Sequence, residues 1–173
     1  MDNRKKLSGV FAPVVTPFNS DELALDDLRF NLQKLNRTNL AGYLALGSNG
    51  EFRSLTDEEQ VRILEVFAEE KGNKVVMVGT GCESTKQTIE KSKLVCEMGF
   101  DYVSVLTPCY FARQIDGPAL KSYYEQIADI ARDQTATDRA ISALQEVVNR
   151  FPDSSYARDA RLKIDLGRDH LAG

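Results

Sequence analysis

Two glycine-rich segments and one aromatic segment hold the residue types from which a site could be built. Gly47-Ser48-Asn49-Gly50-Glu51 offers backbone N–H groups and two short polar side chains within one turn, a combination that suits a carboxylate. A glycine-rich turn that serves geometry alone is the alternative. Thr107-Pro108-Cys109-Tyr110-Phe111 presents a phenol that relays protons if it is hydrogen-bonded, against the alternative of an interface or core tyrosine. Gly79-Thr80-Gly81-Cys82-Glu83 is less specific, and packing or loop geometry is its expected role. Other chemistries are excluded. The only histidine is His170, so neither a histidine-based triad nor a multi-histidine metal site is available. Cys82, Cys96 and Cys109 are odd in number and lack CxxC spacing, which reads as reduced thiols and not as disulfides or a zinc knuckle. No metal and no cofactor is expected.

The segments must be positioned by alternating strands and helices. Four short apolar runs, Gly9 to Phe18, Gly42 to Leu46, Lys74 to Val78 and Tyr102 to Leu106, predict four strands. Leu25, Leu28, Leu32 and Leu35 follow the first run at helical spacing. Thr56-Asp57-Glu58-Glu59 reads as a capping box ahead of Val61, Leu64 and Phe67. Ser84 caps a third helix carrying Ile89, Leu94 and Met98, and a fourth is predicted from about Pro118 to Ile130. Such (βα) units form parallel sheets whose strands are buried on both faces. Each candidate segment falls at the C-terminal end of a strand, where loops converge over the open end of the sheet.

Composition changes near Ala131. Residues 1–131 hold nine Lys to six Arg and eleven Glu to eight Asp, whereas residues 132–173 hold six Arg to one Lys and six Asp to one Glu. The seam predicts two domains, a half barrel over 1–131 and a helical segment over 132–173. Beyond it, Ala140, Leu144, Val147, Val148 and Phe151 trace a helical face that Pro152 ends, and Tyr156, Ala160, Leu162, Ile164 and Leu166 open a second helix. The fold class expected is therefore α/β, a (βα)4 half of a TIM barrel followed by an α-helical hairpin. A formal charge of -4 without a basic cluster longer than Arg4-Lys5-Lys6 argues against nucleic acid, and the apolar runs are too short to span a bilayer. A soluble cytoplasmic protein is expected.

Residues 9–131 resemble the first half of the pyruvate-dependent class I aldolases and lyases, the dihydrodipicolinate synthase and N-acetylneuraminate lyase superfamily. Val14-Val15-Thr16-Pro17-Phe18, Gly47-Ser48-Asn49-Gly50-Glu51 and Val105-Leu106-Thr107-Pro108-Cys109-Tyr110 carry the resemblance. Ser48-Asn49, where the synthases usually show two threonines, is similar to the 4-hydroxy-2-oxoglutarate aldolase branch. The resemblance implies a homo-oligomeric (β/α)8 enzyme that condenses pyruvate with an aldehyde through a lysine Schiff base, or cleaves in reverse. It implies that Ser48 and Asn49 hold the keto-acid carboxylate and take part in proton relay, with the backbone of Gly47 to Gly50 framing the seat as the turn itself suggests, and that Tyr110 matches the tyrosine that reaches a neighbouring subunit's site in the tetrameric synthases.

The strand-five tyrosine and strand-six lysine of that family have no counterpart, because the chain leaves the pattern just before strand five. None of the ten lysines is placed to form an imine, Lys74 standing at the start of a strand, on the edge opposite the catalytic one. The tail, through Asn149-Arg150-Phe151-Pro152-Asp153-Ser154 and Tyr156-Ala157-Arg158-Asp159-Ala160-Arg161, resembles the tetratricopeptide-type outer-membrane assembly lipoprotein of Gram-negative bacteria. The sequence thus reads as a truncated or chimaeric relative of a Schiff-base aldolase, expected to be inactive alone and to bind pyruvate or a similar 2-oxo acid weakly. The competing reading is a structural or interaction module that self-associates through its unpaired strand edges.

Overall fold

Each of the four apolar runs contributes one strand to a single parallel sheet, and the amphipathic segments between them become its helices. The computed structural model describes residues 7–133, so the helical hairpin expected beyond the seam lies outside the described residues. In chain order the elements are β1 (Phe11–Pro13), β2 (Phe18–Asn19), β3 (Glu22–Leu23), α1 (Leu25–Leu35), β4 (Gly42–Ala45), α2 (Asp57–Glu70), β5 (Val75–Gly79), α3 (Thr85–Glu97), β6 (Tyr102–Ser104) and α4 (Gly117–Asp133). Sheet order is β1-β4-β5-β6, with every neighbouring pair parallel. Parallel neighbours require crossovers, and α1, α2 and α3 supply them.

Local chemistry sets the helix starts. Thr56 accepts from the Glu59 N–H at 3.2 Å while the Glu59 carboxylate accepts from the Thr56 N–H at 2.7 Å, completing the expected capping box of α2. The Asp116 carboxylate accepts from the Ala119 N–H at 2.9 Å, and Pro118 falls in the first turn of α4, where its missing N–H leaves no bond unmade. Leu28 and Leu32 of α1 and Ile63, Leu64, Val66 and Phe67 of α2 are buried against Tyr43, Ala45, Val76 and Val78 of the sheet. Tyr43 is fully buried, and its phenol donates to the Asn36 side-chain oxygen at 2.6 Å. Asn36 in turn donates to the Glu70 carbonyl at 2.6 Å, so a single polar chain ties β4 to the ends of α1 and α2.

Two expectations are corrected. The first apolar run is not one strand. Only Phe11–Pro13 pairs with β4, and the run then bends into a β2–β3 hairpin that turns at Ser20, whose φ is +55°. Pro13 and Pro17 lack the N–H groups that a longer ladder would need. Nor are the strands buried on both faces: β5 is apolar at every position, yet Val76 and Val78 are buried while Val75, Met77 and Gly79 are only partly so. Among the described residues, α1, α2 and α3 cover one face alone.

Removal of the α2 cap should be measurable because its two hydrogen bonds are local and exposed. Thr56→Ala is expected to lower stability by about 1 kcal/mol. A urea titration should show a lower midpoint with an unchanged slope.

Candidate functional site

The glycine-rich turn after β4 is held in a conformation its residues do not choose freely. Leu46, buried, has φ +51°, and Glu51, five residues on, has φ +54°. Left-handed backbone at a non-glycine residue costs about 1 kcal/mol, so the surroundings must impose it. Between them, Ser48–Gly50 forms one turn of 3-10 helix, in which Gly50 N–H donates to Gly47 carbonyl at 3.0 Å and Glu51 N–H to Ser48 carbonyl at 3.1 Å. Buried Thr16 clamps the turn from the first strand segment by donating to the Gly50 carbonyl at 2.7 Å. Neighbouring glycines make room: a Cβ on Gly79 would lie 2.1 Å from the Leu46 carbonyl oxygen, and one on Gly50 would lie 3.1 Å from the Val14 carbonyl oxygen.

The result is narrower than a four-residue N–H cradle. Gly47 and Gly50 are buried, and the Gly50 N–H is spent within the turn. Ser48 and Asn49 are exposed, and among the described residues neither side chain has a hydrogen-bond partner. Tyr110 stands in the loop after β6, with its ring 79% exposed and 4.8 Å from that of Phe111. Its hydroxyl has no partner among the described residues. Ser48 and Tyr110 therefore share the C-terminal edge of the sheet but are not brought together, since β5 separates their strands by two ladder spacings, about 10 Å.

Glu83 connects these loops, a role not singled out from sequence. Its carboxylate accepts from the Cys109 and Tyr110 N–H groups, each at 3.0 Å, from the Cys109 thiol at 3.3 Å and from Arg53 at 3.2 Å. The Tyr110 N–H, followed by the Cys109 and Arg53 contacts, holds the Glu83 carboxyl below the usual carboxylate range. Beneath it, Tyr123 shares a hydrogen bond with Thr88 at 2.9 Å and donates to the Cys82 carbonyl at 3.2 Å, and burial pushes its phenol up to about 12. These bonds carry out the loop geometry expected of the Gly79 to Glu83 segment. The only hint in the sequence was Glu83 itself, a charge in an otherwise small and polar loop.

A cleft of about 270 Å3 opens between α2 and α3, floored by Leu46, Leu64 and Leu94. Lys91 crosses it, donating to Gln60 at 2.8 Å and pairing with Asp57 at 2.9 Å, so these three side chains satisfy one another. Among the described residues no group of three or more His, Cys, Asp or Glu is placed to hold a metal, and no helix is long and apolar enough to cross a membrane.

The sheet and turn have counterparts among known proteins. The profile of the dihydrodipicolinate synthetase family matches residues 6–136, which is most of the chain. The chain belongs to this family. An uncharacterised DapA-like lyase of Halobacterium salinarum is 36% identical over 124 residues, covering 70% of this chain and 40% of that protein. The dihydrodipicolinate synthase of Thermotoga maritima superposes with a TM-score of 0.62 at 28% identity, over 70% of this chain and 41% of the other. The family member described here thus spans about 40% of the length of the curated relatives it matches. A second profile, an outer membrane lipoprotein family, matches residues 101–173 and overlaps the first across β6 and α4. The outer membrane protein assembly factor BamD of Caulobacter vibrioides is 59% identical over 51 residues, 30% of this chain and 17% of that protein.

In this dihydrodipicolinate synthetase family chain, Lys34, Lys86, Lys93 and Lys121 lie on helices, and Lys91 lines the α2–α3 cleft that Leu46 also lines. Lys74 donates to the Thr38 and Leu40 carbonyls at the opposite edge of the sheet, and Lys86 on the first turn of α3 is 83% exposed beside Glu90.

Because the folded Glu83 carboxyl titrates below its ordinary value of 4.5, its contribution to loop order is present above that pH and is lost as pH falls through the folded value. The Cys109 and Tyr110 amide resonances should hold steady down to about pH 4.5 and then shift together. In Glu83→Gln they should lose that transition.

Proposed function

We propose that this chain is an incomplete relative of the pyruvate-dependent Schiff-base lyases that retains a seat for a 2-oxo acid carboxylate but forms no imine. One observation carries the reading: a strained turn, clamped by Thr16, presents Ser48 and Asn49 at the C-terminal edge of the sheet with their side chains uncommitted. Backbone N–H groups at such a turn and two short polar side chains suit a small carboxylate. In this reading Ser48 and Asn49 bind the carboxylate on a turn that the buried Gly47 and Gly50 shape, while Ser48 and Tyr110 are the remnants of a proton relay. The domain boundary falls near Ala131, where the charge preference reverses. With the reading goes a cytoplasmic location, and fractionation into the cell envelope would make the lipoprotein-like segment the better guide.

The reading that no imine forms draws its support from the described lysines. An exposed lysine amine is almost fully protonated at pH 7, and a nucleophilic one needs burial in an apolar or cationic setting. Lys34, Lys86, Lys93 and Lys121 lie on helix surfaces, and Lys91 is held by Asp57.

Two measurements test the two halves of the proposal. Pyruvate titration followed by NMR should move the Ser48 and Asn49 amides first, with millimolar affinity, worth about 4 kcal/mol. If distant amides move first, or none move, the carboxylate seat is absent. Incubation with pyruvate and borohydride, followed by intact mass, should give no stoichiometric adduct. One adduct on a single lysine would overturn the inactive reading.

A further inference from the structure

We propose that Arg53 and Glu83 are positioning residues that couple the Ser48 turn to the Tyr110 loop, so that a carboxylate seated on the turn is registered in the backbone at Tyr110. The ligand in this inference rests on the proposed carboxylate seat, whereas the coupling is a property of the loops themselves. The two segments follow β4 and β6, and β5 stands between those strands. A link must therefore cross the mouth of the sheet, and Glu83, in the loop that follows β5, supplies it.

On the seat side, the link is continuous with the strained turn. Glu51, the left-handed residue that ends Ser48–Gly50, also begins a second 3-10 turn over Phe52–Ser54, and its carbonyl accepts from the Ser54 N–H at 2.8 Å. That second turn is anchored from α2. Gln60, itself buried, donates to the Phe52 carbonyl at 3.1 Å and to the Leu55 carbonyl at 3.2 Å. The Arg53 guanidinium lies 5.4 Å over the ring of buried Phe52, which restrains a side chain that would otherwise sample many rotamers, and from there it reaches Glu83 at 3.2 Å.

On the other side, the backbone around Glu83 is fixed. The Cys82 N–H donates to fully buried Thr88 at 3.0 Å, and Ser84 caps α3. The Glu83 side chain then spans to the next loop, where the consecutive N–H groups of Cys109 and Tyr110 converge on its carboxylate. Hydrogen bonds to an ionised acceptor are short and strong, so a carboxylate that follows Arg53 must carry these two N–H groups with it or release them. Arg53 and Glu83 are 50% and 39% exposed, and an exposed ion pair adds little to stability. Cutting it should leave the fold intact and remove the coupling alone.

The test uses the full chain, labelled with 15N, and pyruvate as the probe. In the unaltered protein the Cys109 and Tyr110 amides should shift with the same midpoint as those of Ser48 and Asn49. In Arg53→Gln the Ser48 and Asn49 amides should still titrate, with affinity changed less than about twofold, while the Cys109 and Tyr110 response falls by roughly half or more. Arg53→Lys keeps the charge and should restore most of that response. Cys109 and Tyr110 amides that stay still while Ser48 and Asn49 move, or that respond undiminished in Arg53→Gln, would overturn the proposal. If Ser48 and Asn49 themselves ignore pyruvate, the seat is absent, and an acid titration without ligand decides the coupling. Protonation of Glu83 should shift the Phe52 to Ser54 amides with the same midpoint as Cys109 and Tyr110. Arg53 and Cys109 contact the Glu83 carboxylate, Tyr123 of α4 lies beneath it, and Asp57 of α2 and Lys91 of α3 stand near Cys82, so the transition that counts is the one Glu83→Gln removes. Phe52 to Ser54 amides that do not share that transition would also overturn the coupling.

Discussion

A parallel sheet is stable only when both its faces are kept from water, and here the helices supply one cover. That asymmetry organises the molecule. On the helix side, Tyr43, Val76 and Val78 are fully buried, and the one polar group among them, the Tyr43 phenol, is satisfied by Asn36. On the other side, equally apolar residues of β5 are only partly buried. Burial of apolar area is worth about 25 cal/mol per Å2, so the partly buried row of Phe11, Leu44 and Met77 contributes less than the fully buried row beneath the helices.

The candidate site depends on the same sheet in a different way. Two left-handed residues, Leu46 and Glu51, bend the chain as it leaves β4, and close backbone contacts at Gly79 and Gly50 leave it no alternative course. Thr16 closes the turn from the neighbouring segment. Strain of this kind persists only where packing imposes it, and it presents Ser48 and Asn49 outward instead of letting them cap a longer helix. Glu83 then gathers the Arg53 side chain and the Cys109 to Tyr110 backbone, so the three loops at this edge form one hydrogen-bonded unit.

The two family matches overlap on β6 and α4. In the described structure α4 behaves as a barrel helix: Tyr123 reaches Thr88 of α3, and Tyr124 reaches the Val105 carbonyl and Thr107 just past β6. These contacts place α4 with the βα units, whatever the ancestry of the residues that follow it.

Much was legible before any coordinates. Apolar runs separated by helix-spaced leucines announced four βα units, and Thr56 with Glu59 announced the start of α2, because periodicity and capping are local properties. The glycine-rich segment after the second run was recognisable as a turn at a strand end. What the sequence could not determine was everything set by contact between distant segments. The hairpin that divides the first run depends on Ser20 turning back, and the Glu83 bridges join residues 26 to 30 positions apart. Uniformly apolar β5 reads as a strand buried on both sides, and only the tertiary structure reveals that α1, α2 and α3 all lie on one of them. Residue type records the preference for burial, whereas which face obtains it is decided by the crossovers, whose common hand puts consecutive helices on the same side of the sheet.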